Sequence, residues 1–145
     1  MSTLTIQQAS LRTGLSGPTL RYYEEVGLIG PIPRDDSGHR RYTEHDIDDL
    51  QALACLRAMG VGIGDMRSYQ SNRALGTSAA GEQRDLLRRH AARIEAEIET
   101  LKVHLEYLHA KAALWEARAA GEAADEARAS LLVQEMLPRL QAVLR

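Results

Sequence analysis

The sequence predicts a mainly α-helical chain: a winged helix-turn-helix module, a long helix of coiled-coil type and a short helical tail. Three observations predict it. Two short helix patterns meet at a glycine turn and lead into a loop punctuated by proline and glycine. Apolar residues then recur at alternating steps of four and three from Leu87 to Trp115. The final stretch is alanine-rich, then apolar at helical spacing. These features divide the chain into residues 1–74, 75–118 and 119–145.

Each element has a local cause. Thr5 is placed to cap a first helix running to Thr13, with Ile6, Ala9 and Ser10 or Thr13 inward, and Gly14 is placed to end it. Ser16 and Gly17 open a second helix with Pro18 in its first turn, a position where the missing N–H costs nothing. It carries Leu20, Arg21, Tyr22, Tyr23 and Val26, and Gly27 stops it. In "GLIGPIPRDDSGHRRY", Leu28-Ile29 and Arg40–Tyr42 read as short strands of a wing, joined through Pro31, Pro33 and an Asp-Asp-Ser-Gly turn. Thr43 caps a third helix with acids in its first turn and Gly60 beyond its end. "IGDMRSYQ" is a short fourth helix.

The long segment is the clearest periodic signal. Leu87, Ile94, Leu101, Leu108 and Trp115 fall at heptad position d, and Ala91, Ile98, Leu105 and Ala112 at a. A lone helix cannot bury that stripe. No second heptad run of equal length exists in the chain, so the expected partner along Leu87, Ile94, Ile98, Leu101, Leu105, Leu108 and Trp115 is another copy of the same protein. The competing reading folds the helix onto its own domain. In the tail, Leu132, Met136, Leu140 and Val143 are spaced to fold back on the coil or on the partner, with Pro138 expected to kink or divide the helix.

Composition narrows the function classes. No apolar run approaches ~20 residues, so no membrane span is expected. "MSTLTIQQAS" lacks the basic and apolar regions of a secretory signal, and a reducing cytoplasm is the expected location. The single cysteine, Cys55, rules out an internal disulfide and a multi-cysteine metal site. His104 and His109 lie roughly 140° apart around a helix, so they do not share a face. Neither a metal nor a cofactor is expected. No nucleophile–base or acid–base arrangement is legible, so no catalytic residue is assigned.

An arginine and tyrosine surface on the second helix suits DNA. Arg21 can donate to phosphate or to guanine N7 and O6. The Tyr22 hydroxyl can donate to phosphate while Tyr23, on the side of Leu20, serves the core. Ser16 and Thr19 add small donors at a helix N-terminus that favours anions. Arg40, Arg41 and Tyr42 of the wing face the flanking backbone, with Tyr42 alternatively closing the wing against the third helix. Residues 1–73 hold eight arginines and nine acids, so binding requires the bases to be segregated on one face.

The ordered set Leu20-Arg21-Tyr22-Tyr23-Glu24, Gly27-Leu28-Ile29, Gly38-His39-Arg40-Arg41-Tyr42 and Leu56-Arg57 before Gly60 closely resembles the DNA-binding domain of MerR-family transcription regulators. The resemblance covers about half the chain, and the coil extends it. It implies a homodimer joined by an antiparallel coiled coil, with one winged module on each half-site of a palindromic promoter. It further implies that bending and untwisting of the promoter let RNA polymerase engage, a use of DNA shape as a switch. Arg21, Tyr22 and Arg40 carry over as DNA contacts. Two positions depart from the family pattern: His39 stands where an aromatic is usual, and Gly62 replaces the Ser or Thr cap of the fourth helix.

The region after the coil lacks the cysteines of metal-sensing members and is too short for a large effector domain. Cys55 in "ALACLRAMG" matches the single cysteine of a short-tailed, thiol-dependent branch that responds to aldehydes or other electrophiles. The alternative for Cys55 is an inert buried residue. Two other functional readings are a regulator that senses a small apolar ligand at the coil and tail, and a DNA-bending architectural protein with no effector.

Overall fold

A computed structural model describes residues 2–143. It contains six α-helices: α1 (Ile6–Thr13), α2 (Gly17–Glu25), α3 (Glu44–Ala58), α4 (Ile63–Leu75), α5 (Ala80–Ala120) and α6 (Ala123–Val143), with a short 3₁₀ turn at Gly76–Ala79. The backbone separates into two compact units, Met1–Arg88 and Arg89–Arg145.

In the first unit the helix starts are fixed by reciprocal caps. Thr5 accepts from the Gln8 N–H at 3.2 Å while the Gln8 side chain accepts from the Thr5 N–H at 2.8 Å. Thr43 and Asp46 repeat the arrangement on α3. Ser16 caps α2 through the Thr19 N–H. Gly62 begins α4 with no side-chain cap, as its missing hydroxyl requires. At Gly14 the backbone turns into the left-handed region, φ 77°, and its N–H closes onto the Ser10 carbonyl. That turn brings α2 back across α1.

The core of this unit comes from one face of each helix: Ala9 of α1, Leu20 and Tyr23 of α2, Ile47, Leu50, Leu53 and Leu56 of α3, and Met66 of α4. Tyr42, Leu20, Ile47, Leu50 and Leu53 are fully buried. At ~1.5–3 kcal/mol for each fully buried large apolar side chain, this cluster is the main source of the unit's stability.

The wing differs from the expectation. Leu28 and Ile29 form no strand; they make a buried turn after α2, with both N–H groups donated to the Tyr23 carbonyl. The pairing is confined to single antiparallel bridges, Arg34 with Arg40 and Leu4 with Tyr42. Pro31 and Pro33 have no N–H to give to a ladder, which limits its length. The tip is held by the Asp35 carboxylate, which accepts from the Ser37 and His39 N–H groups at 3.0 and 2.9 Å. Gly38 supplies the positive φ, 84°, that the turn requires.

In the second unit, α6 folds back on α5. Val133 and Met136 bury against Ala110, with Tyr107 packed beside them. Arg118–Glu126 at 2.8 Å and Arg139–Glu106 at 3.0 Å tie the two helices near each end of their contact. Pro138 neither divides nor ends α6, which runs on to Val143. The last two residues of the tail segment, 144 and 145, lie outside the described residues.

Candidate nucleic-acid interface

The start of α1, Arg21 of α2 and the wing together line a concave surface of about 490 Å³. Its lining holds four arginines, Arg21, Arg34, Arg40 and Arg41, against a single acid, Asp35. The segregation that the charge count demanded is therefore present: half of the eight arginines of residues 1–73 line this one cleft. Acids elsewhere are drawn off by arginines that do not line it, Glu44 by Arg12 at 3.0 Å and Asp49 by Arg73 at 3.2 Å. The Asp35 carboxyl is held below its usual range, first by the His39 backbone N–H, and its oxygen is committed to the turn.

The candidate residues differ in how free they are. Arg21 is exposed on α2, and Tyr22 is 47% exposed beside it. The Ser16 hydroxyl caps the helix and donates to Thr19 Oγ1 at 2.8 Å. Arg41 is anchored, its Nε on Thr3 Oγ1 at 2.9 Å and an Nη on the Thr3 carbonyl. Arg40 is pinned by Glu24, whose Oε1 accepts from Arg40 Nε at 2.7 Å. Both side chains are less than a fifth exposed. Burial pushes the Glu24 carboxyl up, but hydrogen bonds from Arg40 and from the Ile32 N–H outweigh it and hold the group below the ordinary glutamate range. The same carboxylate raises Arg40 further.

Tyr42 is a correction. It is fully buried, paired through its backbone with Leu4, and its hydroxyl has no partner among the described residues. It closes the wing onto the core and does not reach a duplex. Tyr23 is buried in the core as expected. Sequence reasoning missed two cations. Arg34 sits beside the wing's tip, donating to the Gly38 carbonyl at 3.1 Å. Arg57, in the last turn of α3, reaches Thr19 Oγ1 at 3.4 Å. Only the three-dimensional return of α3 beside α2 brings Arg57 to this face.

Cys55 is exposed on α3, away from the buried Leu50–Leu53 side, so the thiol is not buried in this chain. On α5, Leu87, Ile98, Leu101, Leu105, Leu108 and Trp115 are 43–63% exposed, while Ile94 is half-buried. Among the described residues nothing covers this apolar stripe. The α6 contact uses a different face of α5, about 180° away, where Ala110 and Ala117 are buried. Among the described residues no group of His, Cys, Asp and Glu is arranged to hold a metal, and no helix is long and apolar enough to cross a membrane.

Comparison with known proteins agrees with this architecture. Residues 4–72 match the model of the MerR HTH family regulatory protein. An HTH-type transcriptional regulator of Haemophilus influenzae is 31% identical over 114 residues, covering 79% of this chain and 84% of that protein. The regulator AdhR of Bacillus subtilis is 44% identical over 66 residues, which is 46% of this chain and 47% of AdhR. Among solved structures, HiNmlR, a MerR family regulator lacking the sensor domain and bound to promoter DNA, superposes with a TM-score of 0.68 at 31% identity, covering 82% of this chain and 91% of that one. These relatives are transcriptional regulators, not enzymes. On the ordered motif set, the arginine-lined cleft beside α2 and these matches, the chain belongs to the MerR family of helix-turn-helix regulatory proteins and is a DNA-binding transcription regulator.

Proposed function

We propose that this regulator acts as a homodimer that places two winged modules on the half-sites of a palindromic promoter and distorts the spacer between them, so that RNA polymerase can engage. The observation that carries the reading is the pairing of two features in one chain: an arginine-lined cleft beside α2, and an apolar heptad stripe on α5 left open to solvent. The first is a complement to phosphate. The second is a surface that a monomer has no means to bury. Residues 1–74 then read DNA, 75–118 dimerise through an antiparallel coil, and 119–145 brace that coil. In and around the cleft, Arg21 and Tyr22 meet the duplex from α2, Arg34, Arg40 and Arg41 from the wing, and Ser16, Thr19 and Arg57 hold phosphate at the start of α2.

DNase footprinting over the promoters next to the regulator's own gene tests this. One or a few palindromic footprints with enhanced cleavage at their centres are expected. Uniform, salt-sensitive coverage of all DNA would instead mark an architectural binder.

For the signal, the proposal is alkylation of Cys55 by an electrophile or aldehyde. Its support is the exposure of the thiol on α3, because a reagent must reach the sulfur before it reacts. Cys55→Ser is expected to bind the promoter as the wild type does and to show no transcriptional response to an added electrophile. A full response from that variant removes Cys55 as the sensor. A second reading, sensing of a small apolar ligand, is favoured by one feature: a groove of about 430 Å³ between α5 and α6, floored by Ala110, Ala113, Leu132 and Met136. In that case Met136→Trp, which fills the groove, abolishes the response and Cys55→Ser does not.

A further inference from the structure

Glu24 is an acid set against a surface that must attract phosphate, and its surroundings show what it does there. Both carboxylate oxygens are used. Oε1 takes the Arg40 Nε at 2.7 Å, and Oε2 takes the Ile32 backbone N–H at 3.0 Å. Ile32 is buried, and the two charged side chains are 17% and 16% exposed. One side chain of α2 therefore grips the wing twice, once on the segment entering it and once on the segment leaving it. Among the described residues these are the side-chain hydrogen bonds that join α2 to the wing. The wing's own backbone pairing is limited to isolated bridges, and its other ties, Tyr42 to Leu4 and Arg41 to Thr3, hold it to the N-terminal segment and not to α2.

The charge balance points the same way. If the cleft served only to accumulate positive potential, a carboxylate pressed on one of its arginines would work against it. Glu24 cancels the charge of Arg40 and in return fixes the direction of its guanidinium. Nε is held by Glu24, the Nη groups take no part in that bond, and Arg40 lines the cleft together with Arg21, Arg34 and Arg41. Phosphate contacts set the register of a protein on a duplex, and a register is useful only if the contacting groups are held in place.

We propose that Glu24 is a positioning residue that sets sequence specificity: it locks the wing and Arg40 to the recognition helix, trading raw attraction to DNA for a fixed spacing between base-reading and backbone-reading groups. The proposal rests on the reading of this cleft as the DNA interface. Without the lock, Arg40 is a mobile cation that accepts any phosphate, and the wing no longer reports whether α2 is in register.

The test is a double-mutant cycle on Glu24→Gln and Arg40→Met, read as affinity for two duplexes. One is selected from random sequence by the wild type, and the other is a scrambled duplex of the same length. Gln keeps an acceptor for the Ile32 N–H and removes the charge. Glu24→Gln is expected to lower the ratio of selected to scrambled affinity by about tenfold. Affinity for the scrambled duplex is retained or increased. Its log–log salt slope steepens by about one unit for each freed arginine in the bound protein. In the Arg40→Met background the same change should have little further effect. Equal losses on both duplexes with an unchanged salt slope would show a merely structural role and overturn the proposal. So would additivity in the cycle. Arg40→Lys provides a second route should the Glu24 variant fold poorly, because it keeps the charge and loses the Nε bond. It should reproduce the loss of ratio, and a retained ratio overturns the proposal. A wild type that prefers neither duplex instead overturns the underlying assignment of the cleft.

Discussion

At the scale of single residues, Tyr42 takes its role from its surroundings. A tyrosine after two arginines reads equally as a contact or as a core residue, and only the bridge to Leu4 decides it. Its hydroxyl is buried without a partner, and burial pushes the phenol's pKa up. A buried, unpaired hydroxyl costs free energy that a phenylalanine does not. Tyr42→Phe should therefore leave DNA affinity unchanged and raise stability by up to about 1 kcal/mol, read as a higher unfolding midpoint. A large loss of DNA binding in that variant would restore Tyr42 to the interface. Glu24 was quoted in the motif but given no role, because its partners lie on the wing and no periodicity links them to α2. Its titration yields a second prediction. The folded-state value is lowered, so its stabilising effect is full above the ordinary glutamate range and is lost as pH falls through that range, about pH 4, toward the folded value. Thermal unfolding measured against pH should show the wild type ahead of Glu24→Gln at neutral pH. The gap should close below about pH 4 as the carboxyl protonates. A gap that persists at low pH would mean that the charge is not the source of the stabilisation.

At the scale of elements, helix starts and stops were legible because their causes are local: Thr5, Ser16 and Thr43 as caps, and Gly14 and Gly27 as stops. The wing was not, because strand pairing is decided by which N–H groups Pro31 and Pro33 leave available. On α5 one stripe was read and the other missed. The large d and a residues from Leu87 to Trp115 stand out. The second seam, Val103, Tyr107, Ala110, Leu114 and Ala117, also steps by four and three, but over a shorter stretch and with two alanines, and it shows as a seam once α6 packs on Tyr107 and Ala110. The sequence places Pro138 where it would kink or divide α6. The helix instead passes through it close to its C-terminal end, where few backbone bonds are left to lose. The two seams are separable. Val133→Asp buries a charge against Ala110 and should detach α6 with a loss of about 3 kcal/mol from the α5–α6 hairpin. Circular dichroism should show the lost helix, and light scattering should still show the dimer. If Val133→Asp dissociates the dimer as completely as a substitution in the exposed stripe, then α6 belongs to the dimer interface and does not simply brace it.

At the scale of the whole molecule, the net charge of −2 argues against DNA while the local surface argues for it. A single cleft with four arginines, one of them neutralised by Glu24, supplies few free phosphate contacts. Two clefts held on one duplex change the balance, because the second binds at the effective concentration set by the first. In the proposed dimer that gain depends on the α5 stripe. Leu105 and Leu108 are 54% and 62% exposed in the single chain, so charging them removes nothing that holds the chain's own fold together. Leu105→Glu with Leu108→Glu should leave the helical signal and the unfolding midpoint of residues 1–88 unchanged while converting the dimer to monomer in light scattering. Affinity for the palindromic site should fall by about 10²–10⁴, the usual worth of linking two binding modules. Affinity for an isolated half-site, which one cleft occupies alone, should not change. A variant that is monomeric yet holds the palindrome at full strength would mean that one arginine cleft suffices. The exposed stripe would then need an occupant other than a second copy of the chain.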